Sequence, residues 1–406
     1  MALNTALSGI NAAQSDLNVI ANNISNANTT GFKGSRAEFK DIYAVTGLNL
    51  NSTAIGSGTR LQDVAQQFTQ GDIETTNNSL DLAVSGNGFF TINNGNGVTY
   101  TRAGNFHQDN NGYVVTNSGA RLQVYPPNGI GGFDGSTLTD LRLVTAQSSA
   151  TATSKITMTS NLPSSATIPP TAPFNPTDAT SYNQAQPVTV YDSQGGSHQA
   201  TLYYVKTATN TWNANLYVDG QSAGTQPMTF DTSGKLATPA SGNLTFTPVA
   251  LGNGSNPLAL TVNMTNTTQF GTDYAAGTIA QNGFEAGTLS KIDINNKGVV
   301  TAYYSNNQST QIGQLAIANF ANLQGLRQVG DTTWAASTDS GVPVMGTAGA
   351  GQFGTIQAGA LESSNTSDTT AQLVNMIKAQ RDYQANAQVL STDNTLASAL
   401  FTAVSR

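Results

Sequence analysis

Residues 21–33, Ala21-Asn22-Asn23-Ile24-Ser25-Asn26-Ala27-Asn28-Thr29-Thr30-Gly31-Phe32-Lys33, read as the exit from a helix into extended chain. Asparagine side chains compete with the backbone for hydrogen bonds and so favour a last turn over a helix interior. Gly31 suits the left-handed conformation with which helices commonly end, and Phe32 gives the emerging chain an apolar anchor. Behind the exit, Leu3, Ile10, Leu17 and Ile24 recur every seven residues, with Leu7, Gln14 and Ala21 at the offset position. That spacing marks one stripe of a helix. The far end of the chain carries the same pattern. Met376, Tyr383, Leu390, Ala397 and Val404 form one series; Leu373, Gln380, Ala387, Asn394 and Phe401 form the other. No Pro or Gly interrupts it, and Ser367-Asp368-Thr369 in front suits an N-cap.

Gln14, Gln380, Asn394 and several alanines weaken such a stripe while fixing its register. One helix pair of this composition is marginal alone, and neighbours must supply the rest of its packing. The spacing therefore predicts terminal helices over 1–24 and 366–406 that form a coiled-coil domain between copies. Its self-assembly seam would be Leu3, Leu7, Ile10, Gln14, Leu17, Ile24, Leu373, Met376, Gln380, Tyr383, Leu390 and Val404.

Between the helices, turn chemistry dominates. Asn-Gly begins at Asn94, Asn96, Asn111, Asn128, Asn253 and Asn282, and Asp-Gly at Asp134 and Asp219; both are hairpin signals. Alternating runs surround them, such as Leu80, Leu82, Val84 and Val299, Thr301, Tyr303. The fold expected is mainly β with terminal α-helices, in nested antiparallel sandwich or barrel domains. Pro- and Thr-rich sequence near 148–176 and Gly-rich sequence near 271–287 bracket an inserted outer β domain, 147–283. The β domain around it would comprise 75–146 and 284–359, and 25–74 with 360–365 would connect it to the helices.

Composition narrows the function. Only 10% of the 406 residues are charged, against roughly 25% in ordinary soluble domains. Uncharged Asn, Thr, Ser and Gln must cover the surface, which suits packing against like copies. A net charge of −7 with scattered Lys and Arg argues against nucleic acid and anionic membranes. No stretch approaches the roughly 20 apolar residues of a membrane span, so no membrane insertion is expected. The N-terminus lacks the basic and apolar regions of a cleaved signal peptide. Cysteine is absent, which removes disulfides and thiolate chemistry.

Motifs for catalysis are equally thin. Only two histidines exist, His107 before the Asp109-Asn110-Asn111-Gly112 turn and His198 after Gly195-Gly196-Ser197, and both look like hairpin residues rather than members of a catalytic triad. Asp109-Asn110-Asn111-Gly112 resembles half a calcium loop but lacks the closing Glu. Gly56-Ser57-Gly58 and Gly86-Asn87-Gly88 lack the remaining elements of phosphate loops. No enzyme, cofactor site or metal site is expected.

The 21–33 run after a heptad helix resembles the signature of the flagellar rod, hook and hook-associated axial proteins. Its signature positions are Asn22, Asn23, Asn26, Thr30, Gly31 and Phe32. The resemblance continues through Gln67–Gly71, Leu80–Phe90, Tyr100–Phe106, Gly359–Asn365 and Met376–Ala387. It departs at Thr366-Ser367-Asp368, where a Val-Asp-like start is usual. The large insert, with Val190-Tyr191-Asp192-Ser193-Gln194-Gly195-Gly196-Ser197-His198, resembles the hook members of that family more than the distal rod. The resemblance implies export through the flagellar type III apparatus without a cleaved signal peptide. It further implies assembly beneath a hook cap into a curved hollow homopolymer at the extracellular hook and basal body, with rod and hook–filament junction proteins as neighbours. Such a tube transmits motor torque as a flexible joint. A distal rod subunit is the alternative within the family, and a surface adhesin or fibre the alternative outside it.

Overall fold

Along Lys155–Pro163, Ile156, Met158, Ser160 and Leu162 are buried and the residues between them are not. The same alternation buries Ala200, Leu202, Tyr204 and Lys206 in Ser197–Ala208. A period of two puts every second side chain on the core face of a sheet, so these strands follow directly from the sequence. The computed structural model describes residues 2–42, 56–143 and 147–404. Met1 of the expected N-terminal helix, 43–55 of the expected connecting region, 144–146 of the expected β domain and 405–406 of the expected C-terminal helix lie outside the described residues.

Two compact units divide the chain, one within Met1–Val144, Lys291–Ala302 and Ser309–Arg406, the other within Thr145–Ser290 and Tyr303–Gln308. In the second, Gln184–Tyr191, Ser197–Ala208, Thr211–Val218, Gln221–Phe230 and Leu236–Thr238 form an antiparallel meander. The tight Asp219-Gly220 turn has φ of 47° and 80°, the left-handed pair that a two-residue hairpin demands. The other sheet is mixed. Lys155–Pro163 runs parallel to Thr261–Asn263 and Thr268–Phe270 but antiparallel to Ala275–Gln281. Parallel neighbours cannot be joined by a tight turn, so no local turn signal announces them. Side chains of both sheets share one core around Trp212, Tyr204, Leu216, Ile156 and Val262.

The first unit begins with helix α1, Ala2–Ser25, and an antiparallel ribbon of Ser35–Asp41 with Thr59–Gln66. A twelve-stranded sheet follows, with a core that includes Leu82, Phe90, Leu122, Val300 and Ile317. Phe89, Tyr100, Phe320 and Trp334 pack edge to face in a second cluster. Two short pairings, Thr355–Ala358 with Leu82–Ser85 and Ala360–Glu362 with Ile73–Thr75, bring the late chain back beside its early strands. Helix α2, Thr369–Val404, leaves from there. Asp368 caps it: its Oδ1 accepts from Thr370 N at 3.1 Å and Ala371 N at 3.3 Å.

Candidate assembly site

Both helices are rooted at one place, and the asparagine-rich exit builds it. Asn26 Nδ2 donates to Asn22 O at 3.0 Å, closing the last turn of α1. Asn23 is buried, and its amide clasps the Ser35 backbone: Oδ1 accepts from Ser35 N at 2.9 Å, and Nδ2 donates to Ser35 O at 2.8 Å. Gly31 has φ of 68°, and a Cβ there would collide with the backbone of Ala103. Phe32 is buried, Thr30 half-buried and Asn22 exposed. From the C-terminal side, Asn365 Oδ1 accepts from Gly34 N at 2.7 Å, and Thr366 Oγ1 donates to Asn23 O at 3.0 Å. Gly31 N donates to Glu362 O at 2.8 Å.

A charged triad lies at the centre of this root. Glu362 Oε1 accepts from Lys33 Nζ at 2.5 Å and from Gly71 N at 3.0 Å; Oε2 accepts from Arg102 Nη1 at 3.2 Å. The side chains of Lys33 and Glu362 are fully buried. Lys33 also donates to Thr69 O, and Arg102 to Val84 O and Gly86 O. Burial pushes the Lys33 ammonium down in pKa, and Glu362 opposes that shift. Arg102 responds in the same way for the same reasons. Desolvation offsets much of the attraction in such a cluster, so its main contribution is positional. It holds Lys33, Arg102 and Glu362, from three distant stretches of chain, in one arrangement.

Beyond the root, α1 and α2 run antiparallel. Asn386 lies against Gly9, Lys378 and Asp382 against Asp16, and Thr366 against Asn23. Burial raises the Asp16 pKa; Lys378 opposes the rise and Asp382 adds to it. In this register the start of α1 falls near Asp393, and α2 continues to Val404.

The buried apolar positions of α1 are Ala6, Ala13 and Ile20, also seven residues apart but displaced to one side of the expected seam. Ile10, Leu17 and Ile24 are half-buried; Leu3, Leu7 and Gln14 are exposed. On α2, Ala379 is buried, Met376 and Leu390 are half-buried, and Leu373, Gln380, Tyr383 and Val404 are exposed. The alanine face and the triad escaped sequence reasoning. Small residues that permit close helix approach resemble neutral filler, and no local spacing links Lys33, Arg102 and Glu362. The available signal was that each is a rare charge inside a run of family-like, uncharged sequence.

Among the described residues, neither helix is long and apolar enough to cross a membrane, and no cluster of ligating side chains could hold a metal. A β-rich body with rooted helical ends that leave apolar side chains exposed fits the class of structural subunits that pack against copies of themselves. Four family models match. They are the flagella basal body rod protein over residues 3–33, the flagellar hook protein FlgE/F/G D1 domain over 83–181, the flagellar basal body protein FlaE D2 domain over 161–284, and the flagellar basal body rod FlgEFG protein C-terminal region over 357–402. The flagellar hook protein FlgE of Salmonella typhimurium is 38% identical, covering 98% of this chain and 99% of its own length. Its Escherichia coli counterpart is equally similar, and that of Rhizobium meliloti is 33% identical over 97% of this chain and 96% of its own. The solved structure of Helicobacter pylori flagellar hook protein FlgE2 shares the fold at a TM-score of 0.52 and 16% identity, over 71% of this chain and all of its own. The chain belongs to the flagellar hook protein family, structural subunits of the bacterial flagellum rather than enzymes.

Proposed function

We propose that copies of this chain join through their terminal helices into a curved hollow tube. The helices surround a channel, and the tube serves as a flexible joint that passes torque from rod to filament. The observation that carries this reading is the apolar surface left on the helices of one chain. Where α2 continues beyond the start of α1, Leu396, Leu400, Phe401 and Val404 are 64–79% exposed. Full burial of each such side chain contributes about 1.5–3 kcal/mol, repeated in every copy. With 10% of its residues charged, the chain gives neighbours few strong ion pairs to break as they slide. The seam would comprise the outward positions Leu3, Leu7, Gln14, Leu373, Gln380, Tyr383 and Val404, with Ile10, Leu17, Ile24, Met376 and Leu390 at its flank. A rod protein would continue the tube at one end, since rod-type models match both termini. A hook cap and then a hook–filament junction protein would meet the other, after delivery by the flagellar export apparatus.

Replacing Phe401 with Asp tests the reading. A carboxylate desolvated between helices costs several kcal/mol, whereas on the exposed helix of a monomer it costs almost nothing. The variant should keep the melting temperature of the β units and form no tubes by electron microscopy. Curved tubes from Phe401→Asp would overturn the reading.

A further inference from the structure

The stretch Val190–His198 takes no part in the helical root, yet it closes one end of the second unit around a single imidazole. His198 Nδ1 lies 2.6 Å from Asp219 Oδ2, and Nε2 lies 3.2 Å from Asp192 Oδ2. A neutral imidazole carries one N–H, so it can donate to one of these carboxylates and must turn a lone pair on the other. The imidazolium donates to both.

Each partner belongs to a different loop. Asp192 opens the turn between Gln184–Tyr191 and Ser197–Ala208, and its Oδ1 accepts from Gln194 N and Gly196 N, both at 2.8 Å. Asp219 forms the turn after Thr211–Val218, and its Oδ1 accepts from Gln199 N at 2.9 Å. Asn253 reaches in from a third loop and donates to Asp192 Oδ2 at 2.6 Å. The same turn seats both ends of the unit's main segment. Thr153 N donates to Tyr191 O at 2.8 Å, and Tyr191 N donates to Thr153 Oγ1 at 2.9 Å. A Cβ on Gly195 would come within 3.0 Å of Ala150 Cβ and 3.1 Å of Ala286 N.

We propose that His198 is a pH-dependent latch: as imidazolium it clamps the Asp192 and Asp219 turns together, and on losing its proton it releases the seat of residues 150–153 and 284–286. The charged groups facing the ring are Asp192 and Asp219, and Glu285 flanks the turn through its backbone. Burial pulls the His198 pKa down, but hydrogen bonds to Asp219 and Asp192 outweigh it, so the net shift is upward. Both carboxylates sit below their usual range: burial works against this, and the bonds from His198 and nearby donors prevail. A raised histidine contributes stability that is complete below its unfolded value of about 6.5 and is lost as pH rises through the folded value. The lowered carboxylates contribute above their unfolded values of about 4, and that part is lost at more acid pH. The latch is therefore closed between those limits and opens on the alkaline side.

The test uses full-length chain carrying His107→Gln, which leaves one imidazole. Its ring proton, followed by NMR, should titrate with a midpoint above about 6.5, and adding Asp219→Asn should lower that midpoint. Across about pH 5.5 to 9, unfolding of the second unit should lose stability through the same midpoint, whereas His198→Gln should start lower and stay flat. Amides of residues 150–153 and 284–286 in the unaltered chain should exchange faster above the midpoint than intrinsic chemistry accounts for. A midpoint at or below about 6.5, parallel pH profiles for chains with and without His198, or exchange that follows intrinsic rates alone would each overturn the latch.

Discussion

At the root of the helices, Glu362 gathers donors from Lys33, Gly71 and Arg102, and neither Lys33 nor Glu362 exposes its side chain. At the far end of α2, Phe401 and Val404 stand 77% and 79% exposed. One region pairs its buried charges within a single chain, although Arg102 Nε is left without a hydrogen-bond partner; the other holds apolar surface that a single chain does not cover. The root fixes where the helices leave the β body, and in the proposed polymer the helix faces left exposed would be buried between copies. On that proposal stability and assembly fall to different residues, and substitutions should separate them.

The largest effect should come from Glu362→Ala. Lys33 and Arg102 would remain buried without their anion, at a cost of about 3–5 kcal/mol. Chemical unfolding of the monomer should show the loss in the first unit. A change below about 1 kcal/mol would mean that the root relaxes and hydrates its cations. A smaller loss is expected midway between the regions, at Ala13→Leu. The larger side chain forces α1 from α2 or the ribbon, costing about 1–3 kcal/mol by overpacking. The smallest monomer effect belongs to the outward face. Leu7→Asp, at a position 47% exposed, should move monomer stability by less than about 0.5 kcal/mol while abolishing polymer in a sedimentation assay. A destabilised monomer would show that Leu7 already packs within its own chain.

Local chemistry made much of this legible. The helices showed in heptads, the strands in alternation, and the Asp219 hairpin in its Asp-Gly pair. Gly31 was readable because a helix end favours the left-handed conformation it adopts. The triad was not, because nothing near Lys33 in sequence indicates Glu362. The inward face of α1 was missed because Ala6 and Ala13 carry little hydrophobic signal, although their small size is what admits a neighbouring helix. The parallel neighbours of Lys155–Pro163 were missed for the same reason as the triad: the partners lie too far along the chain for spacing to reveal them.

The separation between Lys33 and Glu362, 329 residues, also sets an order in time. Closing so long a loop before other contacts form costs on the order of 5 kcal/mol in chain entropy. The root therefore closes late, after the β strands have shortened the effective loop. During synthesis, which proceeds from the N-terminus, Lys33 and Arg102 wait without their anion until nearly nine-tenths of the chain has been made. A nascent subunit consequently remains unlocked at its base for most of its production, and its final segment completes the fold.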